Sequence, residues 1–393
     1  MSIVTMFRPK ENHLLILPQP PSENSFATFR AAYEPALKDV LARSSGSKGG
    51  VCLDIALSCP DVPLFTHAQH LVGLLYRLLI CTELSLEMKS GCEVDYRVFL
   101  LVGRQGMIQG PIISLESLAR SEKHWTQIYT SERGNGESLL QRMIQLRESM
   151  PLRSHSRDFT SVRVEGGSSV SRAEKLDTRD ILPSGEQKHY SIAVGGTLDH
   201  LHAGHKLLLT ATALLLETSK DIDEQKGSSL TVGITGDKLL KNKKYAEYMQ
   251  SWNERQNAAF QFLLGIIRLD NLDQAIRRVS RFSEEGANGK AIHYELHSGL
   301  TIICVEISDP YGPTITDESI TALVVSGETR SGGKAVNEKR TTKGWPALQV
   351  YEVDVLEQSF SDGELNDPGE DFRGKISSTD IRRGLHDRDA SRK

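Results

Sequence analysis

Apolar and polar positions alternate with two different periods along this chain, and between residues 151 and 188 the alternation fades. The stretch PLRSHSRDFTSVRVEGGSSVSRAEKLDTRDILPSGEQK shows no sustained helical or strand period. It reads as a polar linker between residues 1–150 and 189–393. Ahead of it, HLLILP, VCLDIAL and VDYRVFLLVG are short apolar runs of strand type, and HAQHLVGLLYRLLICTEL has the spacing of an amphipathic helix. Residues 1–150 are therefore expected to form a separate N-terminal α/β domain, in which no catalytic motif is found.

After the linker, strand-like and helix-like runs take turns: YSIAVGG, a helix near 203–219, SLTVGIT, a helix near 251–267, ITALVVS, a helix near 333–343, and LQVYEVDV. This predicts a C-terminal α/β domain with a Rossmann-like, doubly wound parallel sheet. Such sheets bind ligands beyond the carboxyl ends of their strands. Three polar clusters fall at such ends, over residues 195–205, 236–244 and 326–333.

Composition narrows the function classes. The 393 residues leave room for two domains that each bury a core, and 38% hydrophobic with 25% charged residues is the balance of a soluble globular protein. A net charge of −4 gives no global attraction to nucleic acid or to an anionic membrane, so neither is expected as a partner and any anion must be held locally. The five cysteines have neither disulfide-scaffold nor zinc spacing, which suits reduced, buried thiols. The N-terminus has no long apolar segment before a small-residue cleavage site, and HLVGLLYRLLIC is too short to span a bilayer and carries Arg77. A soluble, cytoplasmic protein is expected.

The first cluster, GGTLDHLHAGH, combines Gly195 and Gly196, where absent side chains let backbone amides approach a phosphate, with the positive end of the helix that follows. His202 and His205 are three apart and share a face, with Gly204 leaving a flat patch between them. A lone H-x-x-H is as readily a structural pair or part of a zinc site, with Asp199 as a further ligand; that alternative leaves the double glycine and Thr197 without a role. The second cluster, GDKLLKNKKY, is a lysine run of the kind that is usually a solvated loop, but at a strand end one lysine would neutralise phosphate charge. Lys241 is the first candidate and Lys244 the reserve. In the third, VSGETRSGGKAVNEKR, Arg330 suits a forked phosphate contact, with Asn337 and Arg340 a turn apart on the helix. Farther on, Ser377, Ser378 and Thr379 sit at a helix start, as N-caps or as a second phosphate nest.

Five ordered blocks, VGGTLDHLHAGHKLLL, VGITGDKLLKNKKY, ISDPYGPTITD, LVVSGETRSGGKAVNEKR and KISSTDIR, resemble the eukaryotic phosphopantetheine adenylyltransferases of the monofunctional fungal type, in the H-x-G-H nucleotidyltransferase superfamily. The resemblance covers residues 189–385. It implies a nucleotidyltransferase fold and transfer of AMP from ATP to 4′-phosphopantetheine, giving dephospho-coenzyme A and pyrophosphate in coenzyme A biosynthesis, with Mg²⁺. By this resemblance His205 and Thr197 contact the reacting phosphates, and His202 and the Gly196 backbone contact the nucleotide. Lys241 meets the phosphopantetheine phosphate, while Arg330, Ser377, Ser378, Thr379 and Arg382 hold the departing phosphates. No residue is assigned as a metal ligand. Association with other enzymes of coenzyme A biosynthesis is a further expectation. The chain departs from many relatives at Leu198, where they carry an aromatic residue, and in the loops DIDEQKGSS and EEGANGK. It has no G-x-x-x-x-G-K-[ST], so a fused dephospho-coenzyme A kinase is not expected.

A cytidylyltransferase shares the H-x-G-H element but favours RTxGISTT over KISSTDIR and lacks SDPYGPT. A class I aminoacyl-tRNA synthetase would need a basic tRNA-binding surface and an anticodon domain, and neither is seen. The rival of another class is a non-catalytic nucleotide-binding scaffold protein, against which the joint presence of His205, Lys241, Arg330 and the ISST block argues.

Overall fold

The computed structural model describes residues 11–86, 94–104, 110–149, 159–167, 189–217, 227–269, 272–283, 289–356 and 377–391, apart from positions 24, 46, 48, 60 and 355. These fall into two compact units, the first taking the described residues up to 167 together with Leu269 and the second taking the rest.

The first unit is built from β1 (Glu11–Leu17), α1 (Phe26–Ser44), β2 (Val51–Cys59), α2 (Phe65–Ser85), β3 (Val94–Val102), β4 (Ile112–Ser114), α3 (Leu115–Arg120), β5 (Gln127–Ser131), α4 (Gly136–Glu148) and β6 (Thr160–Val164). Its strands form a parallel sheet in the order β4-β3-β2-β1-β5-β6. Helices α1 and α2 pack together, as do α3 and α4. A strand covered on both faces reads as a continuous apolar run, and β2 is buried at every position. Its one charge, Asp54, is fully enclosed and compensated by Lys123 Nζ at 2.6 Å and Trp125 Nε1 at 2.8 Å. Within the stretch expected to be linker, residues 160–164 form β6 instead. This edge strand pairs with β5 while leaving most of its side chains to solvent, so it carries little apolar signal. Residues 151–158 and 168–188 of that stretch lie outside the described residues.

The second unit contains β7 (Ser191–Gly196), α5 (Ala203–Leu214), β8 (Ser229–Thr235), α6 (Trp252–Ile267), α7 (Leu272–Ala275), β9 (Ile276–Phe282), β10 (Ala291–Leu296), β11 (Thr301–Ile307), β12 (Ala322–Ser326), α8 (Arg330–Thr342), β13 (Gln349–Val353) and α9 (Ser378–Ser391). The sheet order is β13-β12-β7-β8-β11-β10-β9. From β13 to β11 every pair is parallel, and the order reverses direction between β7 and β12, where a doubly wound sheet opens its ligand crevice. The expectation of a parallel sheet needs one correction: β10 pairs antiparallel with both β11 and β9, so the sheet is mixed. A tight turn at residues 297–300, with Gly299 at φ 85°, joins β10 to β11 and leaves no length for a crossover helix.

Beneath the crevice Ala193, Ile320, Leu323, Val325, Val336 and Leu348 form a core against which Tyr311 packs. Arg340, 1% exposed, extends from α8 and donates to the carbonyls of Thr314, Asp317, Glu318, Ile320 and Pro346 at 2.7–3.3 Å. Asn337 completes the staple through both backbone polar groups of Leu348. These two residues therefore hold the wall of the crevice. Arg340→Leu would strand several buried carbonyls, and a loss on the order of 3 kcal/mol is expected. Urea unfolding of the full chain at neutral pH, followed by tryptophan fluorescence, checks this.

Candidate active site

The chain leaves β7 at Gly196 and enters α5 at Ala203 through a turn in which Leu198 and His200 adopt left-handed backbone, φ 51° and 46°. Such conformations are costly for residues with a side chain and persist only where the surroundings over-determine them. Here Leu198 is completely buried, the His200 amide donates to Gln250 Oε1 at 2.7 Å, and His200 Nε2 lies 2.9 Å from the Tyr248 carbonyl. Between them Asp199 is wholly enclosed, and its carboxylate accepts from the Gln250 amide at 3.0 Å.

His202 is the N-cap of α5 and His205 lies in its first turn; the two rings stack with centroids 3.9 Å apart. Gly204 leaves room for this arrangement, since a Cβ there would lie 3.2 Å from the His202 ring, a contact that the ring would have to yield to. A cavity of about 850 Å³ opens over the carboxyl ends of β7, β8 and β12. Gly195, Gly196, Thr197, His202, Gly204 and His205 line it, as do Ser377, Ser378, Thr379 and Arg382. Tyr311 and Thr314, from the loop held by Arg340, also reach it.

The start of α9 is tied to the β7 turn. Ser377 caps the helix, accepting from the Asp380 amide at 3.2 Å and donating to its carboxylate at 2.6 Å. Ser378 Oγ donates to the Asp199 carbonyl at 2.8 Å, and Thr379 Oγ1 accepts from Arg382 at 3.1 Å. Arg382, expected among the groups that hold departing phosphates, is 2% exposed, and its guanidinium is committed to Asp199 at 2.5 Å and to the Lys244 carbonyl at 3.1 Å.

Two expected residues are not brought to the cavity. Lys241 and Lys243, from the same loop, are both exposed, and of the two only Lys243 lines it. Arg330 is exposed and paired through both its Nε and Nη2 with Glu352, at 2.7 and 2.5 Å, while the neighbouring Ser331, Gly332 and Gly333 form the lining. Arg255 was not anticipated. It is 0% exposed and donates to the carbonyls of Thr197 at 2.8 Å and Gln250 at 3.0 Å and to Asp237 at 2.6 Å. It thereby joins the turns after β7 and β8. Its local signal is confined to the Ser251–Glu254 capping box just ahead, which fixes the start of α6.

His205 carries the main electrostatic feature. Its Nδ1 is enclosed without a hydrogen-bond partner among the described residues, and burial together with neighbouring His202 pushes its pKa well below the ordinary imidazole value. A neutral ring results, able to offer one N–H and one lone pair. Among the described residues no group of three or more His, Cys, Asp or Glu side chains could hold a metal ion, and no helix is long and apolar enough to cross a membrane. The described cysteines, Cys52, Cys59, Cys81 and Cys304, are buried and free.

Residues 4–170 match the family model of a domain of unknown function (DUF8446). The chain is 32% identical over 263 residues to an uncharacterized protein of Schizosaccharomyces pombe, covering 66% of this chain and 65% of that protein. It is 34% identical over 203 residues to a phosphopantetheine adenylyltransferase of Saccharomyces cerevisiae, covering 52% of this chain and 51% of the relative. A phosphopantetheine adenylyltransferase of Methanothermobacter thermautotrophicus is 27% identical over 199 residues, which is 51% of this chain and 87% of the relative. The chain thus spans 65% and 51% of the length of the first two relatives, and it is a distant homologue of phosphopantetheine adenylyltransferases over about half its own length.

The lowered pKa of His205 has a consequence for stability. The unfolded chain takes up this proton near pH 6.5, while the folded chain refuses it until lower pH, so stability falls as pH drops below 6.5. The slope from this group is at most about 1.4 kcal/mol per pH unit. Urea midpoints at pH 7.5, 6 and 5 should show a shallower loss for His205→Gln than for the unaltered protein.

Proposed function

We propose that the C-terminal unit is an adenylyltransferase that moves AMP from ATP to 4′-phosphopantetheine, giving dephospho-coenzyme A and pyrophosphate. The observation that carries this reading is that the residue 195–205 turn and the Ser377–Ser378–Thr379 helix start line one cavity at the reversal point of the sheet. Distant homology to phosphopantetheine adenylyltransferases supports the choice of substrates.

The chemistry asks little of acid–base groups. The phosphate of phosphopantetheine is already anionic, so its oxygen attacks the α-phosphorus of ATP without a general base. Catalysis reduces to holding two anions in line and stabilising the charge that gathers between them. In this reading the N–H groups at the start of α5, Thr197 and the neutral His205 donate to the reacting phosphates, and His202 with the Gly196 backbone borders the nucleotide. Lys243, which lines the cavity, takes the charge-neutralising role first given to Lys241. Ser377 and Thr379 face the departing phosphates. The Mg²⁺ that ATP brings would be held by its phosphates, since the described residues offer no ligand cluster. A place in the cytoplasm beside other enzymes of coenzyme A biosynthesis agrees with the proposal.

Pyrophosphate release from ATP is expected with 4′-phosphopantetheine and not with pantetheine, which lacks the anionic phosphate that serves as nucleophile in this reading. Equal rates with CTP and phosphocholine would move the assignment to a cytidylyltransferase. His205→Ala should lower kcat by on the order of 10² to 10³ while the protein remains folded, as for the loss of one preorganised donor. Lys243→Ala should reduce kcat at least about tenfold and exceed the effect of Lys241→Ala, because of these two exposed lysines only Lys243 borders the cavity in which the transition-state charge would gather. Steady-state kinetics of the two variants side by side checks this ranking.

A further inference from the structure

Asp199 lies between the two halves of the candidate site and has no role in the chemistry above. As a zinc ligand it would need companions, and the described residues supply no such cluster. Its surroundings instead join backbone segments far apart in sequence. The carboxylate accepts from Arg382 Nη1 at 2.5 Å and from the Gln250 amide at 3.0 Å, and its own carbonyl accepts from Ser378 Oγ at 2.8 Å. Side-chain exposure is 0% for Asp199 and 3% for Arg382, so the pair is shielded from water and from salt. Arg382 extends the tie to the turn after β8 through the Lys244 carbonyl and back to its own helix through Thr379.

We propose that Asp199 is a positioning residue that assembles the site: by holding Arg382 and Ser378 it docks α9, and only then do the hydroxyls of residues 377–379 face the His202–His205 patch. The proposal rests on reading this cavity as a nucleotide site, and it assigns Arg382 to the anchor rather than to the departing phosphates. Two further ties of α9 to the unit lie at its surface. Tyr248 OH donates to Asp389 at 3.1 Å in an exposed setting, and His386 meets the rings of Tyr245 and Tyr248. Breaking a buried pair from either side leaves an uncompensated charge, so helix docking depends on both partners. The left-handed residues flanking Asp199 place its carboxylate without freedom to follow a displaced α9.

The test uses the full chain with Asp199→Asn, Arg382→Met and the double variant, read by amide hydrogen exchange and by ATP calorimetry without a second substrate. Each single variant should accelerate exchange over residues 378–391 at least about tenfold and weaken ATP binding about tenfold, while β7, β8 and β12 stay protected. The double variant should cost no more than the worse single, because both break one link. Arg382→Lys, which keeps the charge but loses the fork, should restore part of both readouts. Protected α9 with unchanged ATP affinity in Asp199→Asn, or additive losses in the double variant, overturns the proposal. Should Asp199→Asn fail to fold, Arg382→Lys decides alone: exchange over α9 as in the unaltered protein overturns the proposal, and partial acceleration supports it. If the unaltered protein binds no ATP, the nucleotide reading fails, and the exchange measurements still decide whether Asp199 docks α9.

Discussion

The turn from β7 into α5 is built around a buried carboxylate, Asp199, which polar groups from distant segments compensate. Leu198 and His200 take up backbone that non-glycine residues avoid, and the contacts that hold them there are supplied by Gln250, Tyr248 and the enclosed side of the unit. Arg255 grips the same turn one residue earlier, through the Thr197 carbonyl. The helix start with its stacked imidazoles, the open floor at Gly195 and Gly196, and the attachment of α9 all inherit their positions from this turn. Local strain here is balanced by long-range polar contacts rather than by packing alone, the arrangement expected where geometry matters more than stability.

The strands of the first unit were legible for a simple reason. Those buried on both faces, such as VCLDIALSC, have almost no polar positions, whereas β6 at the sheet edge keeps most of its side chains in solvent and reads as loop. The same logic hid β9 to β11, whose mixed pairing follows from a four-residue turn that no helix–strand alternation reveals. In the site, the histidines and the Ser377–Ser378–Thr379 run were legible because their spacing is local and their residue types are distinctive. Asp199, Gln250 and Arg255 were not, since each acts on backbone groups of another segment and carries no spacing signal. Spacing also cannot say which lysine of residues 238–244 borders the cavity. Both Lys241 and Lys243 are exposed, and the path of the loop after β8 brings only Lys243 of the two to the cavity.

The two units answer the cost of buried charge in a similar way. In the first, Asp54 on a central strand meets Lys123 and the Trp125 indole; in the second, Asp199 meets Arg382 and Asp237 meets Arg255. Each pair links a strand or its following turn to a segment distant in sequence. Replacing such a pair with apolar side chains need not destabilise a protein, so its value lies in selecting one docking geometry over its neighbours. The first unit matches a domain of unknown function, and its parallel sheet is complete in itself.

Gly204 shows how far the motif's spelling is a matter of space. The His202 ring occupies the place that a side chain at position 204 would claim, at 3.2 Å from an added Cβ. Even alanine would require the imidazole to give way by some tenths of an ångström. The glycine in H-x-G-H is thus a steric vacancy written into the chain, and its mutational tolerance is governed by the orientation of a neighbour rather than by backbone freedom of its own.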